Sequence, residues 1–212
     1  MKKRIYSILL ACLLIAALAG CSKKAETVAT DTTVAESQAK DTTAADSKGT
    51  TEESKAAEVS SEAGAAEGFT AFEDPNGVFT ASYPGTPKEM KQSVPSGNTT
   101  IDMYSYMLEQ EDALYNVMYS AIPEGSAADP AAMLEGAVSN IPYTIDESSD
   151  ITLGEYAGKE LKYSAPLGSD TITFYHRVFI AGDRIYQLQA VSATGERTPE
   201  IDTFFNSFAL KK

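Results

Sequence analysis

The sequence predicts an α+β fold: a long antiparallel sheet with two amphipathic helices. Three observations predict it. Turn signals closely punctuate residues 69–121, at Asp74-Pro75-Asn76-Gly77, Pro84-Gly85, Pro95-Ser96-Gly97-Asn98 and Glu109-Gln110-Glu111-Asp112. The runs between them are short and rich in β-branched and aromatic residues, which suit a pleated, half-buried surface. At two later places the apolar spacing changes to a helical period, each opened by a capping residue and a proline.

In chain order, strands are expected at Phe69–Glu73, Val78–Tyr83, Lys88–Val94, Thr100–Leu108 and Ala113–Ala121, joined by hairpins. Asp129-Pro130 then places a cap before a proline that suits the first helical turn, and Met133, Leu134, Ala137, Val138 and Ile141 follow on one face. An acidic loop leads to strands at Ile151–Leu153, Lys159–Ser164, Thr171–Ile180 and Ile185–Val191. Gly182-Asp183 reads as a two-residue hairpin turn, which pairs 180 with 185 and 176 with 189. Thr198-Pro199 opens a last helix, with Ile201, Phe204, Phe205 and Phe208 at helical spacing.

Residues 1–20 are of a different kind. Met1-Lys2-Lys3-Arg4 is basic, and Ile8 to Ala19 is twelve apolar residues. That run falls short of the roughly 20 residues of a membrane span but suits a secretory leader. It ends Leu18-Ala19-Gly20-Cys21, which resembles the bacterial lipobox. The resemblance implies cleavage before Cys21 and acylation of that cysteine, so that the chain is tied to the membrane through lipid. Two or more acyl chains make a stable anchor where one holds marginally.

Residues 21–67, beginning with the lipidated Cys21, read as a tether. Of the 46 residues from 22 to 67, 40 are Ala, Ser, Thr, Asp, Glu or Lys, and none is aromatic. Such a segment buries too little apolar area to offset the entropy of ordering it, so disorder is expected. As a random coil it reaches roughly 40 Å. Residues 68–212 are long enough to bury a core without disulfides.

The domain also carries a resemblance. Phe79, the run Tyr83-Pro84-Gly85-Thr86-Pro87, the stretch from Ile151 to Glu160, the stretch from Arg177 to Leu188 and Phe204-Phe205-Asn206-Ser207-Phe208 together resemble bacterial lipoprotein domains of the Mog1/PsbP-like superfamily. The resemblance covers nearly all of 69–210. It implies an antiparallel sheet sandwiched between helices, and binding or assembly work without a shared enzymatic activity.

Charge and composition exclude several functions. Lys+Arg number 17 and Asp+Glu 30. The leader carries +3; residues 21–67 carry five Lys and ten acids (−5); residues 68–212 carry nine Lys+Arg and twenty acids (−11), leaving about −16 after cleavage. Such a surface repels phosphate backbones, so nucleic acid is excluded as a main partner. Both cysteines, Cys12 and Cys21, precede the domain, and there is one histidine. The domain therefore has no thiol nucleophile, cysteine metal site or multi-histidine zinc site.

Two groups of residues stand out as candidate ligand-binding positions. His176 shares a strand face with Ile172, Phe174, Val178 and Ile180, and the expected hairpin register gathers it with Gln187 and Gln189. This patch reads either as a hydrogen-bonding pocket for a small ligand or as a buried histidine satisfied by glutamine amides. The second group is tyrosine. A loop from Glu109 to Asp112 would pair 108 with 113, 106 with 115 and 104 with 117, placing Tyr104, Tyr106, Tyr115 and Tyr119 on one face. Tyrosine is enriched at interfaces, so this face reads as partner-facing, or else as the seat of the C-terminal helix.

No catalytic residue is assigned. There is no Gly-x-Ser-x-Gly elbow, and Ser169 reads as a turn residue. Asp146, Glu147 and Asp150 offer oxygen ligands without the spacing of a calcium loop, so no metal or cofactor is assigned. The expected function is a lipid-anchored, extracytoplasmic, non-catalytic binding or assembly module of the bacterial envelope with a protein partner there. The alternatives are a secreted hydrolase using carboxylates and a small solute-binding lipoprotein.

Overall fold

The structure is a computed structural model that describes residues 67–96, 99–123, 129–167 and 170–211. The leader, Cys21, the tether up to residue 66 and the turn residue Ser169 lie outside these residues. The elements, in chain order, are β1 (Thr70–Glu73), β2 (Phe79–Tyr83), β3 (Lys88–Ser96), β4 (Thr99–Glu109), β5 (Ala113–Ala121), α1 (Pro130–Ser139), β6 (Ile145–Leu153), β7 (Tyr156–Leu167), β8 (Asp170–Ala181), β9 (Arg184–Ser192), α2 (Pro199–Asn206) and β10 (Ala209–Leu210). Seven strands form one sheet in the order β3-β4-β5-β9-β8-β7-β6, and β1-β2-β10 form a second. Every described pairing is antiparallel.

Alternation along the strands divides the large sheet into two faces. One face carries Tyr106, Tyr115, Val117, Tyr119, Tyr175, Phe179, Tyr186 and Leu188, packed on Phe79, Ala81 and Tyr83 of β2 and on Ile201, Phe204, Phe205 and Phe208 of the C-terminal segment. The other carries Leu161, Tyr163, Phe174, Val178, Ile180 and Ile185, against which Leu134 and Val138 of α1 pack. Asp129 caps α1 by accepting the Ala131 N–H at 3.0 Å, with Pro130 following. An eight-residue helix such as α2 is unstable alone. Burial of Ile201, Phe204 and Phe205, worth about 1.5–3 kcal/mol each, holds it in place.

The expected α+β class, with one sheet sandwiched between helices, is overturned. The protein is mostly β: about 60% of the described residues are in strands, in two antiparallel sheets, against two helices of ten and eight residues. Two strand segments had no legible period. The acidic stretch Asp146–Asp150 reads as a loop but lies within β6, an edge strand whose central residues are exposed; at an edge, charged side chains are tolerated and block further pairing. β10 is two residues long and joins β2 through Ala209↔Thr80 and Leu210↔Phe79. β10 completes, with β1 and β2, a second three-stranded sheet beside α2, while the acidic stretch lengthens the edge of the large sheet.

The β8–β9 hairpin has the expected register, Ile180↔Ile185 and His176↔Gln189, with Gly182 at φ 60°. The β4–β5 hairpin is shifted by two residues from the expected register: Leu108 pairs with Tyr115, Tyr106 with Val117 and Tyr104 with Tyr119. A two-residue shift equals the side-chain period and leaves every residue on its expected face.

Candidate functional site

Where the ends of β4, β5 and β9 meet the β1–β2 turn, a cleft of about 580 Å³ opens. Its walls include Asn76 from the turn, Thr100, Asp102 and Tyr104 from β4, Tyr119 from β5 and Arg184 from the start of β9. A row of directly paired residues runs beneath it: Lys91, Tyr104, Tyr119 and Tyr186, on β3, β4, β5 and β9. The Tyr104 and Tyr119 rings stack at 5.0 Å with planes 13° apart. Lys91 Nζ lies 4.9 Å from the Tyr104 centroid, a cation–π contact.

The charges of the cleft are matched within the chain. Asp102 binds Lys91 at 2.8 Å and accepts the Ser93 hydroxyl at 2.6 Å. These hydrogen bonds, from Lys91 first and then Ser93, hold the Asp102 carboxyl below the usual carboxylate range. Arg184 binds Asp183 at 2.8 Å. Behind the wall, the Asp74 carboxylate is buried; it accepts the Val78 N–H at 3.1 Å and faces the Tyr119 hydroxyl at 3.4 Å. Asn76 Nδ2 donates to that hydroxyl at 2.8 Å. Burial, reinforced by the Asp74 charge, pushes the Tyr119 phenol up to about 12.

The open partner-facing surface expected of Tyr104, Tyr106, Tyr115 and Tyr119 is not present. Tyr106, Tyr115 and Tyr119 are buried at 1%, 2% and 4% exposure, and Tyr104 is half-buried. The covering layer holds Phe79 of β2, against Tyr106 and Tyr119, and Phe204 of α2, against Tyr115. The four rings do share a face, but that face is core except where Tyr104 and Tyr119 reach the cleft.

His176, Gln187 and Gln189 are brought together on the opposite face, where Gln189 sits between Asn116 and His176 in the strand register. His176 is buried and Gln187 and Gln189 are half-buried. Nδ1 of His176 lies 3.5 Å from the Tyr163 hydroxyl, while Nε2 has no hydrogen-bond partner among the described residues. Burial lowers the imidazole pKa to about 4, against a raising contribution from Gln187, so the ring is neutral at pH 7. Asn116 Oδ1 accepts the Ser105 hydroxyl at 2.7 Å, and its Nδ2 is unpaired among the described residues.

A third cluster serves the fold. Glu160 on β7 holds Arg177 at 2.5 Å and Arg197 at 2.7 Å, and Arg197 also binds Asp202 of α2 at 2.7 Å. Both guanidinium groups lie over the Phe205 ring, so the network ties α2 and the segment before it to the sheet. Of the carboxylates read as oxygen ligands, Glu147 is paired with Lys162 and Asp150 with Lys159.

Sequence reading missed Asn76, Thr100, Asp102 and Arg184 as cleft residues. Asp74-Pro75-Asn76-Gly77 was legible as a turn, but not that the turn lies against the ends of β4, β5 and β9.

No protein-family model matches the chain, that of the Mog1/PsbP-like superfamily included, and no curated protein matches it in sequence. Among the solved structures it resembles, two illustrate how weak the likeness is. LpqN, involved in cell envelope biogenesis of Mycobacterium tuberculosis, is 16% identical with a TM-score of 0.41, over 68% of this chain and 91% of that chain. PA94 of Pseudomonas aeruginosa, of unknown function, is 9% identical with a TM-score of 0.35, over 52% of this chain and 85% of that chain. Neither likeness, at such scores, bears on this chain's activity.

Proposed function

We propose that this protein is a lipid-anchored, extracytoplasmic, non-catalytic binding or assembly module of the bacterial envelope, with its binding site in the cleft over Tyr104 and Tyr119. The observation that carries the anchor is the order basic residues, twelve apolar residues, Leu18-Ala19-Gly20-Cys21. The acyl chains on Cys21 hold the chain to the membrane, and the acidic segment that follows spaces the domain from the headgroups.

The acid in the cleft wall favours binding over hydrolysis there. A carboxylic acid that donates a proton near pH 7 needs a raised pKa. In the cleft wall the Asp102 carboxyl moves the other way, lowered by hydrogen bonds from Lys91 and Ser93. Asp102, the acid in the cleft wall, is held ionised by Lys91.

Replacing Cys21 with serine tests the anchor. The variant is expected to appear in the medium or soluble fraction, or to accumulate as an uncleaved precursor. A Cys21→Ser protein that is cleaved and partitions into detergent like the wild type would overturn the proposal.

A further inference from the structure

We infer that the cleft over Tyr104 and Tyr119 binds an uncharged, hydroxyl-rich ligand, a neutral glycan. The inference rests on the proposed reading of the chain as a binding module and names the ligand class of its site. The cleft's 580 Å³ falls inside the range of small-molecule sites, about 300–1,000 Å³.

Charge decides the class. The two charged side chains in the wall, Asp102 and Arg184, are of opposite sign, and each is already paired, with Lys91 and Asp183. A charged ligand would have to compete with these pairs for its countercharge, whereas a neutral one leaves them intact. An anion would also approach a domain carrying −11. What the walls offer instead is neutral hydrogen-bonding capacity. The Thr100 hydroxyl is exposed and Asn76 uses its Nδ2 on Tyr119; neither that hydroxyl nor Asn76 Oδ1 has a partner among the described residues. Val78, Ile101 and Pro123 line the same space, giving apolar surface for the C–H faces of a sugar ring.

Topology disfavours a peptide bound by strand addition. One main way an extended peptide gains affinity is by adding a strand to an unpaired sheet edge through main-chain hydrogen bonds. This cleft is bounded by the ends of β4, β5 and β9, which are interior strands of the large sheet, and by the β1–β2 turn. A peptide backbone laid there has no ladder to extend, whereas hydroxyl groups on a sugar need only side-chain partners.

The test is an amide-resolved NMR titration of the full mature chain, in a detergent without a sugar headgroup. The probes are maltotriose, cellotriose, mannotriose and chitotriose, with sialyllactose and a neutral Gly-Ser peptide as contrasts. At least one neutral trisaccharide is expected to shift Asn76, Thr100 and Tyr104 with half-saturation near about 1 mM. Thr100→Val, an exposed and nearly isosteric change, is expected to weaken that binding by about five-fold. Shifts caused by the peptide or by sialyllactose alone would overturn the inference, as would no shift with any trisaccharide at about 10 mM. The two readings fail separately. A trisaccharide bound and then cleaved would keep the ligand class and remove the non-catalytic reading. Silence in the titration beside a membrane-bound, Cys21-dependent protein would remove the ligand class and leave the anchored module.

Discussion

The ring of Phe179 lies across Gly158, the residue it faces on β7, and occupies the space a side chain there would fill. A Cβ at position 158 would sit 2.6 Å from both Phe179 Cε1 and the Val178 carbonyl oxygen. Glycine weakens a strand by leaving a bare stretch of backbone, and an aromatic partner covers it. Phe179 also stacks on Phe208, so the ring cannot swing aside without disturbing the contact between the two layers.

Gly158→Ala should therefore destabilise the domain by about 1–3 kcal/mol, the usual cost of overpacking. Gly136 in α1 is the contrast: a Cβ there meets nothing within 4 Å, so Gly136→Ala should stabilise by up to about 1 kcal/mol. Denaturant unfolding of both variants reads the difference. Equal effects at the two positions would contradict the packing described here.

His176 makes stability depend on pH. Burial holds its folded-state pKa near about 4, while an unfolded histidine titrates near about 6.5. Between those values the unfolded chain binds a proton that the folded chain does not, so stability falls as pH drops from 6.5 towards 4. At pH 5 the loss relative to pH 7 should be about 2 kcal/mol. His176→Gln should flatten that limb of the stability profile. An unchanged slope in the variant would show that other groups set it.

Two buried tyrosines should respond oppositely to losing a hydroxyl. Tyr83 donates to the Tyr106 carbonyl at 3.0 Å, whereas the Tyr106 hydroxyl has no hydrogen-bond partner among the described residues. Tyr83→Phe should cost about 1 kcal/mol by leaving that carbonyl short of a donor. Tyr106→Phe should be neutral or slightly stabilising, because an unpaired buried hydroxyl is removed. Thermal unfolding of the two variants side by side tests the assignment, and a larger loss for Tyr106→Phe would reverse it.

Local signals carried most of the individual elements. Turn chemistry at Gly182-Asp183 set the β8–β9 register, and helical spacing from Ile201 to Phe208 marked the segment that packs on the large sheet. What failed was long-range. Glu109 to Asp112 offered no glycine to pin the loop, and the β4–β5 register moved by two. The acidic first part of β6 was hidden because its exposed edge residues show no apolar alternation, although Ile151–Leu153 read as a strand, and β10 was hidden because two residues have no period. The fold class changed because β1 and β2 pair with β10 in a sheet of their own instead of extending the large one.

The cleft was illegible for a related reason. Asn76, Thr100 and Arg184 lie on separate elements, and each reads alone as an ordinary turn or surface residue. The tyrosines were legible as a shared face, but nothing local says that β2 and α2 cover it.

The central claim is that Cys21 is the acylated N-terminus of the mature protein. Mass spectrometry of the N-terminal peptide from membrane-extracted protein tests it most directly. The account predicts a peptide that begins at Cys21 and carries the mass of two or three acyl chains. A peptide beginning at Met1, or at any residue after Cys21, or an unmodified Cys21, would contradict it.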